Sequence, residues 1–126
     1  MTTEIQKIHK GEITLNDVQD KIITIQNKNV LLDSDVAWLY GVETKEVNQA
    51  VKNNPGKFPE GYIFTLQGSE KQELVKNFDR FNKLKHSTVL PAAFTEKGLY
   101  MLATILKSEK AALRCLVWNC VFGAKQ

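Results

Sequence analysis

In the stretch "LLDSDVAWLYGVETKEVNQAVKNN", one glycine, Gly41, stands between two segments that both read as helix. That glycine constrains the fold more than any other residue of the chain. A residue with no Cβ enters the left-handed backbone region without strain, so it can end one helix and let another start after a short turn. Before it, Val36, Ala37, Leu39 and Tyr40 give a short amphipathic helix, with Asp33 or Ser34 as its N-cap. After it, Thr44 is placed to cap a second helix that runs over 44–54 and stops before Pro55. Counted from Asp33 as the first position, Ala37 is fifth, Gly41 ninth and Val47 fifteenth. Two helices that cross closely need a small residue, a turn glycine and a branched apolar residue at these places. Val42 would plug the corner.

The second helix divides into two faces. Val47, Ala50 and Val51 fall on the inner side, while Lys45, Asn48, Gln49 and Lys52 recur at i, i+3, i+4, i+7 on the outer one. Asn and Gln can pair bidentately with adenine in a major groove, and Lys can meet phosphate or guanine. A plain αα-hairpin with a wet outer face produces the same pattern, so the pattern by itself leaves both readings open.

The remaining chain supplies the frame. Residues 1–20 are polar and weakly patterned, an arm with a short helix expected over 15–20. The segments 21–26 and 29–32, around an "NKN" turn, read as two small strands of a hairpin. "YIFTL" (62–66) alternates and is aromatic, which predicts another strand. Ser69 with Gln72 three residues on predicts a capping box opening a helix over 69–78. Residues 79–91 form a basic connector of weak pattern, in which Arg80, Lys83, Lys85 and His86 are candidates to grip phosphates beside the second helix. In "FTEKG" (94–98), Phe94 reads as core, Thr95 as a cap, Glu96 as complementing the helix dipole, and Gly98 as a point of close packing. Leu99, Leu102, Ala103 and Leu106 then make a helical stripe, and a second stripe follows from Leu113 to Val121. Strands and helices in this order predict an α+β domain on one shared core: a small N-terminal hairpin, short strands, the helix pair and C-terminal helices.

Composition sets outer limits. At 126 residues the chain suits one domain with a real core. No apolar run approaches the roughly 18–20 residues of a membrane span, and the N-terminus shows no secretory apolar region, so the cytoplasm is the expected location. Charge is uneven: residues 1–66 hold seven Lys against nine acids (net −2), and 67–126 hold ten basic residues against five acids (net +5). A basic half suits a polyanion, and a solvated face accounts for it equally well. Cys115 and Cys120, five apart in an apparent helix, are poorly spaced for a disulfide or a zinc site. His9 and His86 have no nucleophile or carboxylate in a recognisable arrangement, and neither "HExxH" nor a phosphate-binding glycine loop occurs. No enzyme, cofactor, metal or small-molecule substrate is expected.

Taken in order and spacing, "NVLLDSDVAWLYGVETKEVNQAVKNN", "FPEGYIFTL" and "LPAAFTEKGLYMLATIL" resemble the phage and bacterial ORF-six-N domain, related to the KilA-N and Bro-N domains of phages and large DNA viruses. The likeness covers about residues 21–110. It implies a double-stranded-DNA-binding domain of a phage antirepressor-like regulator, often followed by a variable C-terminal domain, so 21–126 is read as that domain after the 1–20 arm. Thr44, Lys45, Asn48, Gln49, Lys52 and Asn53 become the candidate DNA-reading residues, with the basic connector on the phosphates. The family tends to carry Arg near the end of the second helix, where this chain has Lys52, Asn53, Asn54 and Lys57. Lysine lacks arginine's planar two-pronged contact, so a second copy of the chain, a further domain or a second regulatory protein is expected to add affinity. The competing expectation is a protein-interaction module whose helix pair and apolar C-terminal helix, bearing Trp118, contact another protein rather than DNA.

Overall fold

A computed structural model describes residues 14–106, 109–111 and 113–114. The cysteines, Trp118 and the stripe beyond Arg114 lie outside the described residues, as do residues 1–13 of the polar arm. The expected short helix in that arm is present as α1 (Leu15–Lys21). The Thr14 hydroxyl accepts from the Asp17 N–H at 3.2 Å and the Asp17 carboxylate accepts from the Thr14 N–H at 3.0 Å, a capping box that starts the helix. Val18 fixes α1 to the core with no exposed surface.

The hairpin forms as β1 (Ile23–Ile25) and β2 (Lys28–Leu32), antiparallel with Ile23 opposite Val30. Its turn is Gln26–Asn27, one residue earlier than "NKN" suggests. Both residues have positive φ, 54° and 62°, the two-residue geometry whose twist matches that of the flanking strands. β3 (Ile63–Thr65) pairs with β4 (Ala92–Phe94), and β4 pairs with β2, giving a four-stranded antiparallel sheet in the order β1-β2-β4-β3. The fold is α+β, as expected.

The sheet divides the expected single core into two layers. Val30, Leu31 and Leu32 are all buried because β2 is covered on both faces. Leu31 and Phe94 join Val36, Ala37, Tyr40, Val47, Leu99 and Leu102 on the first face, beneath α2 (Asp33–Tyr40), α3 (Thr44–Asn53) and α5 (Glu96–Leu106). Val30, Leu32 and Ala93 join Leu66, Leu74 and Phe81 on the second, beneath α4 (Gly68–Asn77) and a 3-10 segment, Asp79–His86.

Three expected caps move. α2 begins at Asp33 directly after β2, with Leu32 at the cap position and no side-chain cap, so neither Asp33 nor Ser34 is the N-cap. α3 is capped at Glu43, whose N–H donates to the Glu46 carboxylate at 3.3 Å, and Thr44 is the first helical residue. α4 is capped at Gln67, whose N–H donates to the Glu70 carboxylate at 2.8 Å, rather than by Ser69 and Gln72. In both corrected boxes a glutamate three residues on supplies a charged acceptor, a stronger partner for the orphan N–H than a neutral side chain.

The corner between α2 and α3 follows the sequence reading. Gly41 sits at φ 69°, ψ 35°, its N–H donating to the Trp38 carbonyl at 3.3 Å, while the Val42 N–H reaches the Ala37 carbonyl at 3.0 Å. This double closure is the Schellman arrangement, which requires the left-handed residue. A Cβ at Gly41 would meet only the flexible stem of Lys110 and, at 3.4 Å, a nitrogen of Arg114. The cost of Gly41→Ala is therefore backbone strain rather than collision. It should destabilise by about 1–2 kcal/mol in urea unfolding, with the fold retained.

Candidate functional site

α3 separates an inner from an outer surface. Val47 is fully buried between the helices, Ala50 and Val51 pack partly on the same core, and Lys45, Asn48, Gln49, Lys52 and Asn53 are exposed, with Thr44 half-buried at the helix start. The structure thus brings all six of the residues read from the sequence onto or beside one helix surface. Several already hold local partners. The Asn48 amide donates to the Asp33 carboxylate at 3.2 Å, the Gln49 amide to the Asn53 side-chain oxygen at 3.1 Å, and Lys45 lies 3.5 Å from Glu43. These contacts are exposed, so water or a ligand can replace them at small net cost. Lys52 is exposed and has no hydrogen-bond or ion-pair partner among the described residues. Lys57, at the end of the 3-10 turn Pro55–Lys57, is exposed just beyond the helix.

The second half of the predicted site lies elsewhere. Phe81 is buried beneath the second face of the sheet and Val47 above the first, so the 79–86 segment and α3 occupy opposite layers. The connector therefore does not flank α3. Lys83, Lys85 and His86 are exposed on the far layer. Arg80 is engaged within the chain. Its guanidinium donates to the carbonyls of Asp20 and Lys21 at 3.4 and 3.2 Å, closing the C-terminal end of α1, and to the Asp35 carboxylate at 3.4 Å. It also lies over the Phe81 ring, 4.3 Å from the centroid. Asp35 is buried at the start of α2, and its pKa is raised by desolvation, which Arg80 and then Lys21 oppose. Arg80 is thus a structural cation that ties the two layers together, where sequence spacing suggested a phosphate contact.

The 94–98 block packs as the sequence suggests at Phe94 and Gly98. Phe94 is fully buried, the Thr95 hydroxyl donates to the carbonyls of Gly61 and Tyr62 at 2.8 and 3.0 Å, and Gly98 is buried against the Tyr62 carbonyl. Two cations near the corner escaped the sequence reading. Arg114 donates to the carbonyls of Trp38 and Leu39 at 3.2 and 3.1 Å, satisfying the C-terminal end of α2. The stem of Lys110 lies over Gly41. Both sit about 70 residues away along the chain, so no local pattern marks them.

Among the described residues, no cluster of His, Cys, Asp or Glu could hold a metal, and no helix is long and apolar enough to cross a membrane. The described residues define a class: an α+β domain in which a close-packed helix pair stands on a small antiparallel sheet and turns a polar helix face outward. A family model, the ORF6N domain, matches residues 20–105, and the chain belongs to that family. No significant match is found among curated proteins, nor among solved structures.

Proposed function

We propose that the chain is the DNA-binding domain of a phage- or prophage-type, antirepressor-like regulator acting in the cytoplasm. In this reading α2 and α3 form a helix-turn-helix and α3 enters the major groove. The observation that carries it is the division of α3: Val47 wholly buried against α2, with Lys45, Asn48, Gln49, Lys52 and Asn53 exposed on the opposite side. Asn48 and Gln49 supply base-edge hydrogen bonds, and Lys45, Lys52 and Lys57 meet phosphates. The ORF-six-N resemblance supports the same assignment. The basic connector is left out of this interface because it occupies the other layer.

A second reading has its own support. Asp33, Glu43 and Glu46 accompany the polar residues around α3, and carboxylates beside a phosphate backbone are unfavourable. A protein partner docked on the same helix would tolerate them.

Duplex-DNA titration at two salt concentrations separates the two. Wild type should bind with a log–log salt slope, and Lys52→Ala should reduce that slope by about one unit. Asn48→Ala with Gln49→Ala should keep the slope while weakening the preferred site by roughly tenfold or more. No binding even at low salt would sink the DNA reading for this domain and leave the protein-partner reading.

A further inference from the structure

The second layer carries a groove that the α3 reading does not use. It lies between α4 and the chain that follows it, has a volume of about 440 Å³, and is lined by Lys71, Gln72, Val75, Lys76, Lys85 and Leu90 together with Gly68. Its charged residues are three lysines, with no carboxylate among the lining residues. This is not the general charge of the helix. The glutamates of α4, Glu70 and Glu73, line other grooves, one against β1 and one that Lys76 also borders, and neither lines this one. Lys76 and Lys85 are exposed, while the Lys71 ammonium donates to the Ser87 carbonyl and holds the far wall in place. Between the cations lies an aliphatic floor. Val75 is half-buried and Leu90 is 38 % exposed, a large apolar side chain left facing water.

We propose that this groove docks an acidic peptide segment of a partner protein, one bearing an aliphatic side chain flanked by Asp or Glu. Carboxylates pair with Lys76 and Lys85, and the aliphatic group covers Leu90 and Val75. The floor selects against nucleic acid. A phosphate backbone has no apolar group to place on Leu90, and an unspecific single-strand site calls for aromatic stacking platforms, which the lining lacks. Two exposed lysines without an arginine suit point contacts to carboxylates better than bidentate phosphate clamps.

The test uses the full chain and a fluorescent model peptide of alternating Leu with Asp or Glu, against two controls: the same charges with Ser replacing Leu, and a single-stranded oligothymidylate. The Leu peptide should bind at low salt, and each control should bind roughly tenfold more weakly. Lys76→Glu with Lys85→Glu, and separately Leu90→Ser, should each lower peptide affinity by roughly tenfold. These are surface changes, and circular dichroism checks that the fold is kept. Amide shifts in the wild type on peptide addition should centre on Val75, Lys85 and Leu90. Undetectable peptide binding overturns the proposal, as does binding that survives both variants. Oligothymidylate binding equal to that of the Leu peptide and lost with the same lysines would make the groove a polyanion site instead. Duplex binding through α3 should be unchanged in these variants, so the two interfaces fail or stand separately.

Discussion

Arg80→Ala is expected to lower the unfolding free energy by about 2–3 kcal/mol at neutral pH, far more than truncating an ordinary surface residue. The Asp35 side chain is 10 % exposed and that of Arg80 30 %, so removing the cation strands a carboxylate in the interior rather than breaking a solvated pair. The same substitution opens the carbonyls of Asp20 and Lys21 at the end of α1 and uncovers the Phe81 ring. The effect carries a pH signature. Burial raises the Asp35 pKa, so between the ordinary carboxylate value and the raised one the folded state holds more protons than the unfolded state. Across that window stability falls as pH rises. Arg80 opposes the shift, so its loss drives the folded pKa further up and extends the window toward neutrality. The deficit of the variant should therefore be larger at pH 7 than near pH 4, as read by urea unfolding at the two values. Asp35→Asn in the Arg80→Ala background should return part of the loss at pH 7 and little of it in acid. Equal deficits at both pH values would show that the carboxylate is not what the arginine stabilises.

Arg80 also shows where sequence reading stops. The residue was legible as a cation in a basic segment, and nothing local marks Asp35 as its partner, 45 residues away. The same limit hid β4. "AAF" is three residues long and becomes a strand only by pairing with β2 on one side and β3 on the other. Its position in the middle of the sheet is what splits the core into two layers and removes the connector from the side of α3. The connector itself held an unused signal. Phe78, Phe81 and Leu84 recur every three residues, the period of a 3-10 helix, and Phe81 is the residue that docks. By contrast, the packing residues of the α2–α3 corner were legible in the sequence, though the cap that starts α3 was not. A left-handed glycine, a small fifth position and a branched fifteenth are local demands, met by Gly41, Ala37 and Val47. The polar face of α3 was legible for the same reason, since burial of Val47 fixes the direction of its neighbours by helical periodicity alone.

Gly98→Ala is expected to destabilise by about 3 kcal/mol, although helix propensity predicts the opposite sign. Glycine inside a helix is worse than alanine by about 1 kcal/mol, so a freely packed α5 would gain from the change. α5 is not freely packed there. An added Cβ would overlap the Tyr62 carbonyl oxygen and lie 3.1 Å from its carbon and 3.3 Å from Ile63 Cγ1. Two of these three atoms are backbone, held by β3, so no side chain can swing away, and the helix or the strand must move. The Tyr62 carbonyl cannot yield without loss, because it accepts from the Thr95 N–H at 3.1 Å and from the Thr95 hydroxyl at 3.0 Å. Displacement would also pull β3 from Ala92–Phe94, the strand it pairs with. Overpacking against backbone therefore outweighs the propensity gain by about 2–4 kcal/mol. Denaturant unfolding reads the sign, and hydrogen exchange at the Thr95 amide reads the mechanism, with protection expected to fall well beyond the global change. An alanine variant more stable than the parent would mean that α5 and the Tyr62 carbonyl do not approach each other this closely. In that event Gly98 would be merely tolerated, and α5 would be free to shift beneath α3, the helix it helps hold in place through Leu99 and Leu102.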